Sequence, residues 1–160
     1  MILSRTKLFV VIAAITGVFS FAPQIAHAGN TPQTCNDGYM LLNKERYKAA
    51  VNTLTRCLNK RSLTAKSRAI SYFNRGLAYY LLGQGILEQE KDNVEWEKAD
   101  SFFEKALKDA ENSIKIDPSS AADAYCLRGQ IWLELSWGEV GYDDLEKGKA
   151  MGASDDRCQP

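Results

Sequence analysis

Few residues in this chain have the types and spacing that catalysis or metal binding requires. Adjacent carboxylates occur at Asp143-Asp144 and Asp155-Asp156, but a glycosidase needs two carboxylates held across a cleft, and nothing in the sequence fixes such a pair. The one histidine is His27, within the N-terminal segment. No nucleophile elbow, phosphate loop or calcium loop is present. We therefore expect no enzymatic activity, no cofactor and no metal site.

Four cysteines form the other set with possible chemistry: Cys35, Cys57, Cys126 and Cys158. They contain no Cys-x-x-Cys pair, so their spacing favours neither zinc binding nor a redox-active dithiol. An even number of cysteines in an exported chain indicates disulfides, and four cysteines allow three pairings.

The N-terminal segment has the three parts of a secretory signal. Arg5 and Lys7 precede an apolar run at 8–22, and Ala26-His27-Ala28 offers the small residues that a signal peptidase reads. A run of 15 residues is short for a membrane-spanning helix, which is the alternative interpretation. We expect a cleaved signal at 1–28, a domain at 29–160, and a periplasmic or secreted protein with no membrane span after cleavage.

Charge gives no indication of a nucleic-acid partner. The whole chain has a net charge of zero. Residues 1–28 contain two basic and no acidic residues, so the remainder has 20 − 2 = 18 basic and 20 acidic residues and a net charge of −2. There is thus no basic excess to attract nucleic acid or an anionic membrane surface.

Small residues recur at a common spacing. Three segments carry a first small residue, a second one further on, and a third residue seven positions after the second: Gly38, Ala50 and Cys57; Gly76, Ala106 and Ser113; Gly129, Gly141 and Gly148. The first gap is 12, 30 and 12 residues, so the middle segment holds an 18-residue insertion. Small residues at such positions allow two helices to pack closely.

These segments resemble the tetratricopeptide (TPR) repeat, which has a large residue, a small one four later and an aromatic three after that. Tyr72, Gly76 and Tyr79 match this pattern, and Tyr125, Gly129 and Trp132 match it again. The resemblance implies an all-α fold of three helical hairpins in a short right-handed solenoid, with repeats at about 31–64, 69–118 and 119–153. An unrelated six-helix bundle is the alternative.

The insertion, at about 84–100, departs from the family pattern. We expect it to lengthen both helices of the second hairpin, with a turn near 91–93. Ile86, Leu87, Val94 and Trp96 would hold the two helices together. The extension is either a projecting partner contact or a longer hairpin that packs on itself.

The repeat register selects one of the three disulfide pairings. Cys35 lies near the start of a first helix and Cys57 near the end of the helix antiparallel to it. Cys126 holds the place of Cys35 in the third repeat, and Cys158 follows the last helix. The resemblance therefore predicts Cys35–Cys57 and Cys126–Cys158.

The resemblance also implies a ligand surface built from the first helix of each hairpin. The residues expected to line this groove are Tyr39, Leu42, Asn43, Phe73, Asn74, Leu77, Tyr80, Leu81, Gln130, Leu133 and Glu134. They are mostly apolar, which favours a protein or peptide partner; some could instead be core. Arg75 and Arg128 could meet an anion, or pair with acids such as Glu104 or Asp144.

We expect a periplasmic protein–protein interaction adaptor or scaffold. The alternative is a structural accessory subunit of an envelope assembly that uses its convex face or the insertion.

Overall fold

The computed structural model describes residues 32–89, 96–136 and 138–160. The signal expected at 1–28 and the turn expected near 91–93 lie outside the described residues. The described residues form six α-helices and no strand, which confirms the all-α prediction. The helices are α1 (Gln33–Asn43), α2 (Tyr47–Leu58), α3 (Ala65–Gln89), α4 (Trp96–Ile116), α5 (Ala122–Glu134) and α6 (Gly138–Ala150). Short 3-10 helices follow at Pro118–Ser120 and Asp155–Arg157.

Consecutive helices pair as antiparallel hairpins. In the first hairpin Cys35 near the start of α1 is bonded to Cys57 near the end of α2, whereas Gly38, one turn on, faces Leu54. The same crossing order relates α3 to α4 and α5 to α6. The first helices also contact each other, α1 with α3 and α3 with α5, so α1, α3 and α5 lie side by side.

The core is a series of apolar clusters along the hairpins. The largest joins α3 and α4 to α5 and contains Phe103, Leu127 and Ile131. A second joins α1, α2 and α3 around Leu42 and Leu54. Because these two clusters each draw on neighbouring hairpins, adjacent hairpins depend on each other for burial of their apolar faces.

The second hairpin is longer than the other two, as expected from the insertion. Helix α3 has 25 residues and α4 has 21, whereas α1 and α5 have 11 and 13. At 1.5 Å per residue, α3 is about 18 Å longer than α5. Among the residues expected to hold the extension together, Ile86 and Leu87 pack against the Phe103 cluster.

Trp96 does not play the role expected of it. It is the first residue of α4, and 61% of its surface is exposed. Val94 lies outside the described residues. Among the described residues of the extension, Ile86 and Leu87 therefore provide the packing that was also expected of Trp96.

The chain turns back after α6. Gly152 has a φ of +96°, a backbone conformation that glycine adopts without steric cost, and the Ala153 amide donates to the Gly148 carbonyl at 3.0 Å. This reversal directs residues 155–160 back along α5. Within the described ranges, no helix is long and apolar enough to cross a membrane.

Candidate partner-binding surface

The small residues of the three segments lie where the two helices of each hairpin cross. A Cβ atom on Gly129 would be 2.7 Å from the Gly141 carbonyl oxygen, and one on Gly141 would be 2.8 Å from the Gly129 carbonyl oxygen. At Gly76 it would be 3.2 Å from the Ala106 carbonyl oxygen. The two backbones thus approach closely at equivalent positions, which fixes the rotation of each first helix against its second helix.

One side-chain arrangement occurs twice in the same register. In the second hairpin Arg75 donates to both carboxylate oxygens of Asp109, at 2.7 and 2.8 Å, and its guanidinium lies 5.6 Å from the Tyr72 ring centre. In the third hairpin Arg128 donates to both oxygens of Asp144, at 2.6 and 2.8 Å. The Arg128 guanidinium lies 5.2 Å from the Tyr125 ring. Each arginine directly precedes the small glycine of its first helix, and each aspartate lies three residues after the small residue of the second helix.

These ion pairs settle the choice that the sequence left open for the two arginines. Asp144 is one of the expected partners of Arg128, whereas Arg75 pairs with Asp109 rather than Glu104. Burial works to lower the pKa of Arg75, but the hydrogen bond and charge of Asp109 outweigh it and the pKa is raised. The hydrogen bond from Asp144 likewise raises the pKa of Arg128. Both arginines are charged and engaged with acids, so neither is free to bind an anion.

The first hairpin has a polar outer side in place of this arrangement. Thr34, Asp37 and Thr53 take the positions of the tyrosine, arginine and aspartate. Lys60 donates to the Thr34 hydroxyl at 2.9 Å, and Gln33 donates to Asp37 at 2.9 Å. These polar contacts suit the end of a stack of hairpins, where the outer side meets water.

The C-terminal tail covers the other end. Arg157 contacts Asp123, Cys158 is bonded to Cys126, and the Gln130 amide donates to the Gln159 carbonyl at 3.1 Å. Asp123, Cys126 and Gln130 recur every three to four residues, so the tail follows one face of α5. The equivalent positions on α3 are Phe73 and Leu77. Both pack against the Phe103 cluster, which includes residues of α5, and Phe73 also packs against a cluster around Tyr125 of α5. The tail thus covers, on α5, positions equivalent to those through which α3 packs against the third hairpin.

The structure pairs the cysteines as the register predicted. The Cα atoms of Cys35 and Cys57 are 5.1 Å apart and those of Cys126 and Cys158 are 4.8 Å apart, within the usual range for disulfides. Gly148 takes the place of Cys57 in the third hairpin, and a Cβ atom there would meet the sulfurs of both Cys126 and Cys158. The absence of a side chain at Gly148 makes room for the second bridge.

Several residues expected to line the groove are committed to packing. Leu42 and Asn74 are 6% and 7% exposed, so neither offers surface to a partner. Leu42, Tyr80 and Leu133 each lie four residues after the small glycine, a position that faces the second helix of the same hairpin. Accordingly, the Tyr80 ring lies 5.8 Å from that of Phe103, and Leu133 packs against Gly141. Phe73 packs between α4 and α5.

The other expected residues form a partly accessible stripe across the three first helices, in which Leu77 also packs against the Phe103 cluster and Gln130 is hydrogen-bonded to the tail. They lie one and five residues after each small glycine: Tyr39 and Asn43 on α1, Leu77 and Leu81 on α3, and Gln130 and Glu134 on α5. Tyr39, Leu77, Leu81 and Gln130 are half-buried, and Asn43 and Glu134 are exposed. We call these six residues the first-helix stripe. It is apolar at its centre, on α3, and polar on α5.

A polar cluster that the sequence analysis missed borders this stripe. Gln84 of α3 donates to the Tyr80 hydroxyl oxygen at 3.0 Å and also contacts the Glu134 carboxylate of α5. Burial, followed by the Glu134 charge, raises the pKa of the Tyr80 hydroxyl. Gln84 lies seven residues after Leu77, two helical turns along the same face, and that spacing was the available signal. The first helix of the first repeat is too short to include a position equivalent to Gln84. The comparison of the repeats therefore did not cover this residue.

Among the described residues, no group of three or more histidine, cysteine, aspartate or glutamate side chains could hold a metal ion. Comparison with known protein families, with curated proteins and with solved structures finds no match to this chain.

Proposed function

We propose that this protein is an exported adaptor of TPR type, in which three stacked hairpins bind a peptide or helix of a partner protein on the first-helix stripe. One observation carries the proposal: Tyr39, Leu77 and Leu81, all half-buried, lie one or five residues after a small glycine, on one side of the side-by-side first helices. Exposed apolar groups arranged as a patch commonly mark a contact with another protein.

The repeated ion pair supports the stacked arrangement. Arg75 reaches beyond its own hairpin and donates to Thr55 of α2 at 3.0 Å. Arg128 interacts electrostatically with Glu111 of α4, and Glu111 lies five residues after Ala106, as Thr55 lies five after Ala50. Each arginine thus relates its hairpin to the preceding one in the same way, as a repeat protein requires.

Export is part of the same proposal. Both disulfides close pairs at the ends of the stack, where a terminal repeat lacks a neighbour on one side. Disulfides persist in oxidising compartments, and the N-terminal segment has the composition of a secretory signal. A periplasmic location, or secretion, accommodates both observations.

The proposal is tested by co-purification of partners with variants of the stripe. Wild-type protein and the variants Tyr39→Ala, Leu81→Ala and Glu146→Ala would be recovered, oxidised, from the native envelope and their bound proteins identified by mass spectrometry. A stoichiometric partner lost with the first two variants and kept with Glu146→Ala, on the exposed side of α6, is the expected result. Equal recovery from all four proteins would contradict binding on the stripe.

The second candidate function is a structural accessory subunit that uses the extension of α3 and α4. The exposed Trp96 at the end of this extension favours it, since exposed tryptophan is enriched at the centres of protein interfaces. Trp96→Ala would then abolish assembly while peptide binding on the stripe is unchanged.

A further inference from the structure

Positive charge is segregated away from the first helices. With the exception of Lys66 in the first turn of α3, the lysines of the described helices lie on the second helix of a hairpin: Lys48 on α2, Lys98, Lys105, Lys108 and Lys115 on α4, and Lys147 and Lys149 on α6. Helix α1 contains no lysine or arginine, α3 contains none after Arg75, and α5 contains none after Arg128. The part of each first helix that carries the stripe is therefore without basic residues.

The arginines that the first helices do carry are engaged elsewhere. Arg75 and Arg128 point to acids on the second helices, Asp109 and Asp144. Arg68, near the start of α3, donates to the carbonyls of Leu58 and Lys60 at 2.9 and 3.1 Å. None of these guanidinium groups is directed to the stripe.

On the α5 side of the stripe lies a carboxylate that is held in position by a hydrogen bond. Glu134 is the last residue of α5 and is exposed, and its carboxylate accepts from the Gln84 amide of α3. An amide donor orients a carboxylate but leaves its charge in place. Glu88 lies eleven residues after Leu77 on the same face of α3 and is also exposed. On the α1 side, in contrast, Lys44 and Arg46 flank Glu45 in the turn before α2.

An apolar centre with an oriented carboxylate on one flank is complementary to a helix with an apolar face and a basic residue beside it. Adjacent helices pack 8–10 Å apart, so the stripe from α1 to α5 spans about 16–20 Å. A helix of that length has about 11–13 residues at 1.5 Å per residue. Three turns provide enough apolar positions at helical spacing to cover Tyr39, Leu77 and Leu81 together.

We infer that the first-helix stripe receives an amphipathic helix of a partner protein, and that a lysine or arginine beside the apolar face of this helix pairs with Glu134. This inference rests on the proposed function, since it specifies the ligand of the same surface. Gln84 holds the Glu134 carboxylate in position, and the absence of basic residues on these parts of α1, α3 and α5 leaves the pairing open to the partner.

The test is a selection from a displayed library of 14-residue peptides that fixes leucine at helical spacing and randomises the other positions, applied to the oxidised protein. Clones are ranked by dissociation constant against wild type, Glu134→Gln, Leu81→Ala and the control Glu146→Gln. Glutamine retains an oxygen for the Gln84 amide and removes the charge. Thermal unfolding of each variant verifies that it is folded.

The expected result is enrichment of lysine or arginine at one flank of the leucine face. Glu134→Gln should weaken these clones about threefold to tenfold, in line with a pair at the edge of an interface, whereas Glu146→Gln should not. Clones without basic enrichment, or unaffected by Glu134→Gln, that still lose affinity with Leu81→Ala would overturn the charge pairing and leave the groove standing. Failure to select any clone, or binding that is indifferent to Leu81→Ala, would contradict the groove itself.

Discussion

At Gly129 the helices of the third hairpin approach so closely that a methyl group does not fit. Alanine gains about 1 kcal/mol over glycine in a helix interior, but the new Cβ would lie 2.7 Å from the Gly141 carbonyl oxygen, which belongs to backbone and cannot rotate away. We expect Gly129→Ala to destabilise the protein by about 2 kcal/mol, within the usual cost of overpacking. Chemical denaturation measures this.

Gly85 supplies the matched control. It lies within α3, and a Cβ atom there would have no neighbour within 4 Å among the residues that the structure describes. Helix propensity alone then applies, so Gly85→Ala should stabilise the protein by about 0.5–1 kcal/mol. Equal effects of the two substitutions would show that the close approach at Gly129 has been misread.

Asp109 provides a test of pH dependence. Burial raises the pKa of its carboxyl above the ordinary value, and pairing with Arg75 only partly opposes this shift. A raised pKa means that the folded state holds the proton more tightly than the unfolded state. The stability that protonation of Asp109 adds to the folded state is therefore fully present below the ordinary pKa of about 3.9. It is lost as pH rises through the folded-state pKa.

Asp109→Asn removes this contribution. The free energy of unfolding of wild type minus that of the variant should fall between pH 3 and pH 6, as measured by urea denaturation at both pH values. A rise of that difference over the same interval would mean that the Arg75 ion pair dominates over burial.

The sequence predicted the roles of some residues correctly and those of others incorrectly, and the difference has a physical reason. Spacing identified the small residues, and Asp144 was one of the acids that the sequence offered as a partner for the two arginines. It placed Leu42, Tyr80 and Leu133 in the groove because they are apolar and lie on first helices, whereas four residues after a small glycine is a position turned towards the second helix. Successive residues of a helix point 100° apart, so a difference of one position decides whether a side chain faces the groove or the core.

At the scale of elements, the tail after α6 is held by the Cys126–Cys158 disulfide on one face of α5. We expect Cys126→Ser with Cys158→Ser to cost about 2–4 kcal/mol and to raise amide hydrogen exchange in residues 153–160. The double serine variant of Cys35 and Cys57 should cost a similar amount, since the loops closed are 22 and 32 residues, but should raise exchange in α1. Exchange that rises in the same segments for both variants would contradict separate closure of the two ends.

The extension of α3 and α4 should be stabilised at its base and not at its end. Phe103 is 1% exposed and packs on Gly83, so Phe103→Ala should cost about 3–5 kcal/mol. Trp96 is largely exposed, and Trp96→Ala should change stability by less than about 0.5 kcal/mol. Thermal unfolding distinguishes them; a large loss with Trp96→Ala would show that the end of the extension is packed.

Lengthening of the second hairpin was predictable, because the 30-residue gap between Gly76 and Ala106 keeps helical periodicity on both sides. The role of Trp96 was not. Hydrophobicity indicates which residues gain from burial, but it does not indicate whether a neighbouring element is in place to bury them.

For the whole molecule, both ends of the proposed stack are closed, and the first-helix stripe brings Tyr39, Leu77 and Leu81 together on one side. The first hairpin presents Thr34 and Asp37 outward with polar partners, and the tail covers α5 at the other end. A stack closed in this way should not extend by adding copies of itself. Sedimentation equilibrium should therefore give the mass of one chain, and a concentration-dependent series of oligomers would contradict the closed stack.

The central claim is that a partner protein lies on the first-helix stripe. The most direct measurement is photocrosslinking in the native envelope, with a photoreactive amino acid placed at Leu81 on α3 or, as control, at Lys108 on the exposed side of α4. The account predicts one abundant crosslinked partner from position 81 that is missing from position 108. Crosslinking from position 108 and none from position 81 would contradict it and place the contact on the second helices.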